Sequence, residues 1–150
     1  AMGEKLGFTI RQITNLVLLA QVHDLGKLGV PDMILYKKGP LTEEEWEIMR
    51  LHPEKGYRIA LSVPDLPDVA ELILKHHERW DGKGYPLGLK GSEIPLECRV
   101  LAIVDAFDAM TNNRPYREAK SCKEAIKKIE EGAGTQFDPE LVKVFLSVVR

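Results

Sequence analysis

Cysteine is scarce in this chain. The 150 residues hold only Cys98 and Cys122, with no CxxC spacing, which excludes a disulfide framework and a thiolate metal site and fits a reducing compartment. Both read as small core or surface residues. An excess of either charge is also missing, since 21 basic residues stand against 23 acidic ones without a long block of one sign. That balance argues against binding to nucleic-acid polymers or membrane surfaces. Long apolar runs are absent too, none exceeding the length of Leu16 to Ala20, far short of a bilayer span. With no visible signal peptide, the chain is expected in the cytoplasm. No stretch alternates as a strand, and there are no repeats or low-complexity tracts.

What is present is helical. From Thr9 to His23 the spacing predicts a helix, apolar over most of its circumference toward the end and so expected at the centre of the fold. Thr42 with Glu45 forms a capping box that opens a second helix carrying Trp46, Ile48 and Met49 toward His52, which Pro53 places at a bend. A third helix is expected from Pro67 to His77, with Val69, Leu72 and Ile73 on one face. A fourth runs from Pro95 to about Thr111, with Val100, Ile103, Val104 and Phe107 inward. Ser121 with Glu124, and Asp138 with Pro139, start the last two. Gly82, Gly84, Pro86, Gly88 and Gly91 make the stretch up to Ile94 an ordered, lid-like loop. The expected fold is an all-α helical bundle of one domain, about five to six helices with one long Gly/Pro-rich loop.

The histidines carry the chemistry. His23, His52, His76 and His77 all fall at helix ends or bends, His23 precedes Asp24, and Asp105 lies in an apolar stretch where a carboxylate needs a partner. Each histidine alone reads more readily as a structural or surface residue, but together they suggest a metal centre. Neighbours on a helix diverge by roughly a hundred degrees, so His-Asp and His-His pairs suit two adjacent ions rather than one. Imidazole mixed with carboxylate favours iron, manganese or zinc, whose bound water turns nucleophilic near neutral pH. Lys27 follows closely in "HDLGK", where Gly26 is read as the residue that lets the backbone turn. The "RPYR" run places Arg114 and Arg117 around a rigid Pro-Tyr turn suited to phosphate.

These motifs resemble the HD-GYP family, a branch of the metal-dependent HD phosphohydrolases. His23-Asp24 with Gly26-Lys27 resemble HDxGK, and His76-His77-Glu78, Asp81-Gly82 and Gly84-Tyr85-Pro86 resemble HHExxDGxGYP. Further likeness runs through "GVPD", "LTEEEW", His52-Pro53, "LKGSEIP", Asp105, "RPYR" and "GTQFDPEL". The resemblance implies an all-α domain of bacterial, cytoplasmic signalling that hydrolyses cyclic di-GMP to pGpG or GMP with two, or in some members three, divalent ions. Fe or Mn leads, with Zn or Mg as alternatives. It implies His23, Asp24, His52, His76, His77 and Asp105 as metal ligands, Asp24 bridging. Lys27, Arg114 and Arg117 would meet phosphates, and the loop bearing Tyr85 would border the substrate and dock diguanylate cyclase (GGDEF) domains. Glu78 is expected to orient a histidine or end its helix, and Asp81 to stabilise the loop.

The family also takes a histidine from an upstream helix, and its trinuclear members add a glutamate one turn earlier. No histidine precedes His23 here. The chain is therefore expected to be truncated at its N-terminus relative to the family, with Ala1–Gly3 an expression remnant and a sensory or receiver domain upstream in the natural protein. Weaker metal binding and an uncovered apolar side of the Ile10–Val22 helix would follow, and with it a homodimer. Two alternatives stand beside the enzyme: an impaired cyclic di-GMP receptor or docking adaptor, and a hydrolase of another phosphate ester.

Overall fold

The computed structural model describes residues 1–114 and 117–150. Among them the helices are α1 (Met2–Lys5), α2 (Ile10–Val22), α3 (Asp32–Leu35), α4 (Glu43–Met49), α5 (His52–Ser62), α6 (Pro67–Lys75), α7 (Leu96–Thr111), α8 (Cys122–Glu131) and α9 (Pro139–Val149), with 3-10 turns at Leu25–Gly29 and Gly91–Glu93. No β-strand forms among the described residues, so the expected all-α architecture holds.

Local chemistry sets the helix starts. Thr9, Thr42 and Ser121 each accept from the amide three residues on, and the side chain at that position accepts from the cap's own amide. These reciprocal pairs satisfy donors that a first turn leaves open. Prolines in the first turn open α5, α6 and α9, positions where the missing N–H costs nothing.

Three expectations need correction. His52 follows the turn at Arg50 and Leu51 and is the first residue of α5, a helix absent from the expected set. The signal was Pro53, a first-turn proline like Pro67 and Pro139. Val104 is 43% exposed rather than inward, because it stands on the outer side of α7. The α2 helix is central only along one face; Leu19 is fully buried, while Ile10 and Val17 are exposed. Ile13, Val17, Val104 and Val148 line an apolar groove of about 360 Å³ there.

Two apolar clusters meet across α7. One gathers Phe8, Val100, Ile103, Ile129, Leu141 and Phe145; the other gathers Leu19, Ala60, Val69, Ile73, Cys98 and Leu101. Cys98 donates its thiol to the Leu72 carbonyl, and Cys122 is exposed. Arg99 ties α7 to α9 through buried Asp138 at 2.7 Å. This packing brings the end of α2, the start of α5, the end of α6 and the middle of α7 to one place.

Candidate metal centre

Gly26 decides how closely that convergence can proceed. A Cβ added there would lie 1.7 Å from the His52 carbonyl oxygen and 2.6 Å from the Gly56 nitrogen. Its φ is not positive, so the reading that it permits a turn is corrected. Glycine is needed because the Leu25–Gly29 turn packs backbone to backbone on α5. Gly84 follows the same logic in the loop, where a Cβ would stand 2.5 Å from both the His77 oxygen and the Arg79 nitrogen.

Asp24 sits at the middle of the resulting cluster. Its Oδ2 is 3.3 Å from His23 Nε2 and 3.2 Å from Lys27 Nζ. Its Oδ1 is 3.5 Å from His52 Nε2 and 3.9 Å from His76 Nε2. On the first side, Asp105 Oδ1 lies 3.6 Å from His23 Nε2, the partner its sequence context demanded. On the second, donor atoms of Asp24, His52, His76 and His77 all fall within 4.8 Å of one another. All six residues proposed from the sequence as ligands thus stand together.

The donor atoms face correctly for a cation. Nδ1 of His23, His52 and His76 lies 2.9, 2.8 and 2.5 Å from the carbonyls of Ala20, Met49 and Ile73. A carbonyl only accepts, so each Nδ1 holds a proton and Nε2 is the ring nitrogen turned toward the cluster. His52 Nε2 is 3.4 Å from that of His76 and 3.1 Å from that of His77. Several imidazole nitrogens converging beside two carboxylates form a donor set of the kind divalent ions take. The residues therefore fit divalent ions, and these backbone contacts are the kind that orient metal-binding imidazoles.

Electrostatics agrees. Burial, helped by the neighbouring histidines, keeps His76 well below its ordinary value and holds His77 at about 4, so both are neutral near pH 7. Burial also acts to lower His23, but hydrogen bonding to Asp24 and the charges of Asp24 and Asp105 raise it overall. For Asp24, burial acts upward and is overridden by His23, His52 and Lys27, which hold it far below the carboxylate range.

A pH dependence follows for the metal-free protein. Unfolded histidines titrate near 6.5, so between there and about 4 the unfolded chain takes up a proton at His77 that the folded chain refuses, and His76, also held below its ordinary value, acts in the same direction. Stability contributed by these two is present above 6.5 and lost as pH falls. His23, raised, has the opposite sign: its contribution is present below 6.5 and fades as pH rises through its folded value. Two against one gives a net loss, so chelator-treated protein should melt at lower temperature at pH 4.5 than at pH 7. Circular-dichroism melts check this, and an unchanged or higher midpoint at pH 4.5 would contradict it.

The loop is anchored by a residue the sequence left open. Glu78, 5% exposed, neither orients a histidine nor ends a helix; its carboxylate accepts from the amides of Leu87 at 2.6 Å and Leu89 at 2.9 Å. This holds the segment that stacks Tyr85 on His77, with ring centroids 5.0 Å apart, and burial raises the phenol's pKa. Asp81 stabilises the loop as expected, paired with Arg79 at 2.8 and 3.1 Å and accepting from Lys83 N. The Arg79 hydrogen bond draws it down to about 2. Glu78→Ala strands two amides and should cost about 2–3 kcal/mol, lowering Tm by roughly 6–10 °C. Thermal melts test this.

Arg114 and Arg117 line an open pocket of about 450 Å³ with Asp24, Lys27, His77 and Asp105. Arg117 donates to the Ala109 carbonyl. The expected rigid turn at Pro115 and Tyr116 lies outside the described residues.

With this geometry established, comparison is informative. The model of the HD domain family matches residues 1–141. The chain belongs to the HD domain family. A cyclic di-GMP phosphodiesterase of Thermotoga maritima is 45% identical over 98% of this chain and 40% of its own length. The cyclic di-GMP phosphodiesterase response regulator RpfG of Xanthomonas campestris is 41% identical over 97% and 39%. A 3'3'-cGAMP-specific phosphodiesterase of Vibrio cholerae is 41% identical over 83% of this chain and 24% of that protein. The chain thus spans about two fifths of the first two relatives. The crystal structure of V. cholerae V-cGAP3 superimposes with TM-score 0.76 at 21% identity, covering 99% of this HD domain chain and 41% of that one. An HDGYP-type protein from Bdellovibrio bacteriovorus gives 0.74 at 21%, covering 99% and 48%. These two likenesses concern the fold. No helix among the described residues is long and apolar enough to cross a membrane.

Proposed function

We propose that this chain is the metal-dependent catalytic domain of a cyclic di-GMP phosphodiesterase, acting through His23, Asp24, His52, His76, His77 and Asp105 as ligands. The observation that carries the reading is the Asp24 carboxylate, one oxygen turned to His23 and Lys27 and the other to His52 and His76. A carboxylate so placed would offer one oxygen to an ion on each side. The imidazole and carboxylate donors suit iron or manganese, with zinc or magnesium next.

Bound ions would supply Lewis acidity toward a phosphodiester and toward water. The chain's own residues do the remainder. Lys27, 3.2 Å from Asp24, places a cation where a nonbridging phosphate oxygen would lie. Arg114 and Arg117 line the same pocket and would neutralise charge that builds on the phosphate. Tyr85 borders the site, while its stacking keeps the His77 ring in one orientation. Printed names of the relatives, cyclic di-GMP phosphodiesterases among them, support the substrate. Docking of a diguanylate cyclase domain on the loop, a sensory or receiver partner and a homodimer belong to the same proposal.

The test is reconstitution without oxygen, with iron or manganese, followed by ions counted per chain and chromatography of products from cyclic di-GMP. Two or more ions per chain with pGpG or GMP formed, and loss of both on chelation, is the expected result. Full metal loading without turnover would instead favour the receptor reading.

A further inference from the structure

Beside the phosphate pocket lies a second groove to which the roles given above assign nothing. It is formed by the Leu25–Gly29 turn and α3, has a volume of about 450 Å³, and includes Leu28, Asp32, Leu35 and Tyr36 in its lining. Asp24 and Lys27 line both it and the pocket holding Arg114 and Arg117. A phosphate seated at Lys27 therefore has this groove as its continuation. The volume falls within the range of small-ligand clefts, about 300–1,000 Å³.

Its walls have the chemistry of a nucleobase site. Tyr36 is 68% exposed and Leu28 80% exposed, an aromatic and an aliphatic side chain left in water beside an ionic centre. An aromatic face stacks on a base of any kind. Asp32, exposed in the first turn of α3, adds selectivity, because an ionised carboxylate only accepts. Guanine presents two adjacent donors on its pairing edge, the N1–H and the 2-amino group, which one carboxylate can satisfy together. Adenine presents an unprotonated N1 at that edge and would meet the carboxylate with like polarity.

We propose that this groove takes one guanine base of the substrate, stacked on Tyr36 and read by Asp32. The inference rests on the phosphodiesterase reading above and adds to it the residues that select the base. Asp32 and Tyr36 are substrate-contacting specificity residues, remote from the metal ligands in role.

The experiment compares wild type with Asp32→Asn, Tyr36→Ala and Tyr36→Phe. Binding of cyclic di-GMP and cyclic di-AMP is measured by calorimetry on chelator-treated protein. Turnover of bis(p-nitrophenyl) phosphate, a diester without a base, is measured on metal-loaded protein. Asp32→Asn is expected to weaken cyclic di-GMP about tenfold, the scale of a paired base contact, without weakening cyclic di-AMP. Tyr36→Ala should weaken both about tenfold through lost stacking, and Tyr36→Phe should restore both. Turnover of the base-free diester should stay within about twofold of wild type, which also reports that each variant is folded. Unchanged cyclic di-GMP binding in both Asp32→Asn and Tyr36→Ala overturns this inference alone, as does a parallel fall on the base-free diester. A wild type that hydrolyses the base-free diester but neither binds nor hydrolyses cyclic di-GMP overturns the proposed function, and this inference with it.

Discussion

Asp24→Asn is expected to remove metal binding and phosphodiester hydrolysis together while leaving the fold intact. Asp24 alone faces both halves of the cluster, His23 and Lys27 with one oxygen and His52 and His76 with the other. An amide of the same size keeps the shape but replaces one oxygen by a donor NH2 and removes the anion. Loss of residues that merely orient ligands weakens metal sites by about 10–100-fold, so loss of this carboxylate should exceed about 100-fold in both metal affinity and turnover. Because its side chain is 43% exposed, the change buries no new unpaired group and the melting curve should survive. Elemental analysis beside circular dichroism checks both halves; an Asn variant with full metal content would refute the central role.

Gly26→Ala should have the largest effect on stability. The added methyl would occupy the space of the His52 carbonyl, 1.7 Å away, and crowd the Gly56 nitrogen at 2.6 Å. Both are backbone atoms, and no rotamer change relieves them. Separating the Leu25–Gly29 turn from α5 should cost about 3 kcal/mol or more, the upper range of overpacking, and lower Tm by roughly 10 °C. The same displacement draws His52 away from Asp24, so metal content should fall as well. A Gly26→Ala protein with wild-type Tm and full metal content would show that the close approach is dispensable.

Particular residues show what was legible beforehand. Thr42 with Glu45 and Ser121 with Glu124 announced their helices because a capping box is complete within four residues. His23 and Asp24, followed by Lys27, announced a cluster through residue type alone. By contrast, α5 is not legible in the same way, and its Gly56 proves to be a contact surface, where an added Cβ would meet Ile73 Cγ2 at 2.8 Å. Glu78 was left between two roles and has a third, because its partners Leu87 and Leu89 lie across a loop whose path no local pattern prescribes. Val104 was assigned inward from helical period, which gives a face its direction but not what covers it.

By itself, the sequence determined the helical architecture, the chemical types of the ligands and the glycine-bearing loop, all of which depend on periodicity, caps and residue identity over a few positions. Only the tertiary structure decided which nitrogen of each imidazole faces inward, that one carboxylate serves both sides, and that Gly26 is a contact rather than a turn. Those features depend on distances between α2, α5, α6 and α7, which are set by how their backbones and side chains pack across α7 and the Leu25–Gly29 turn.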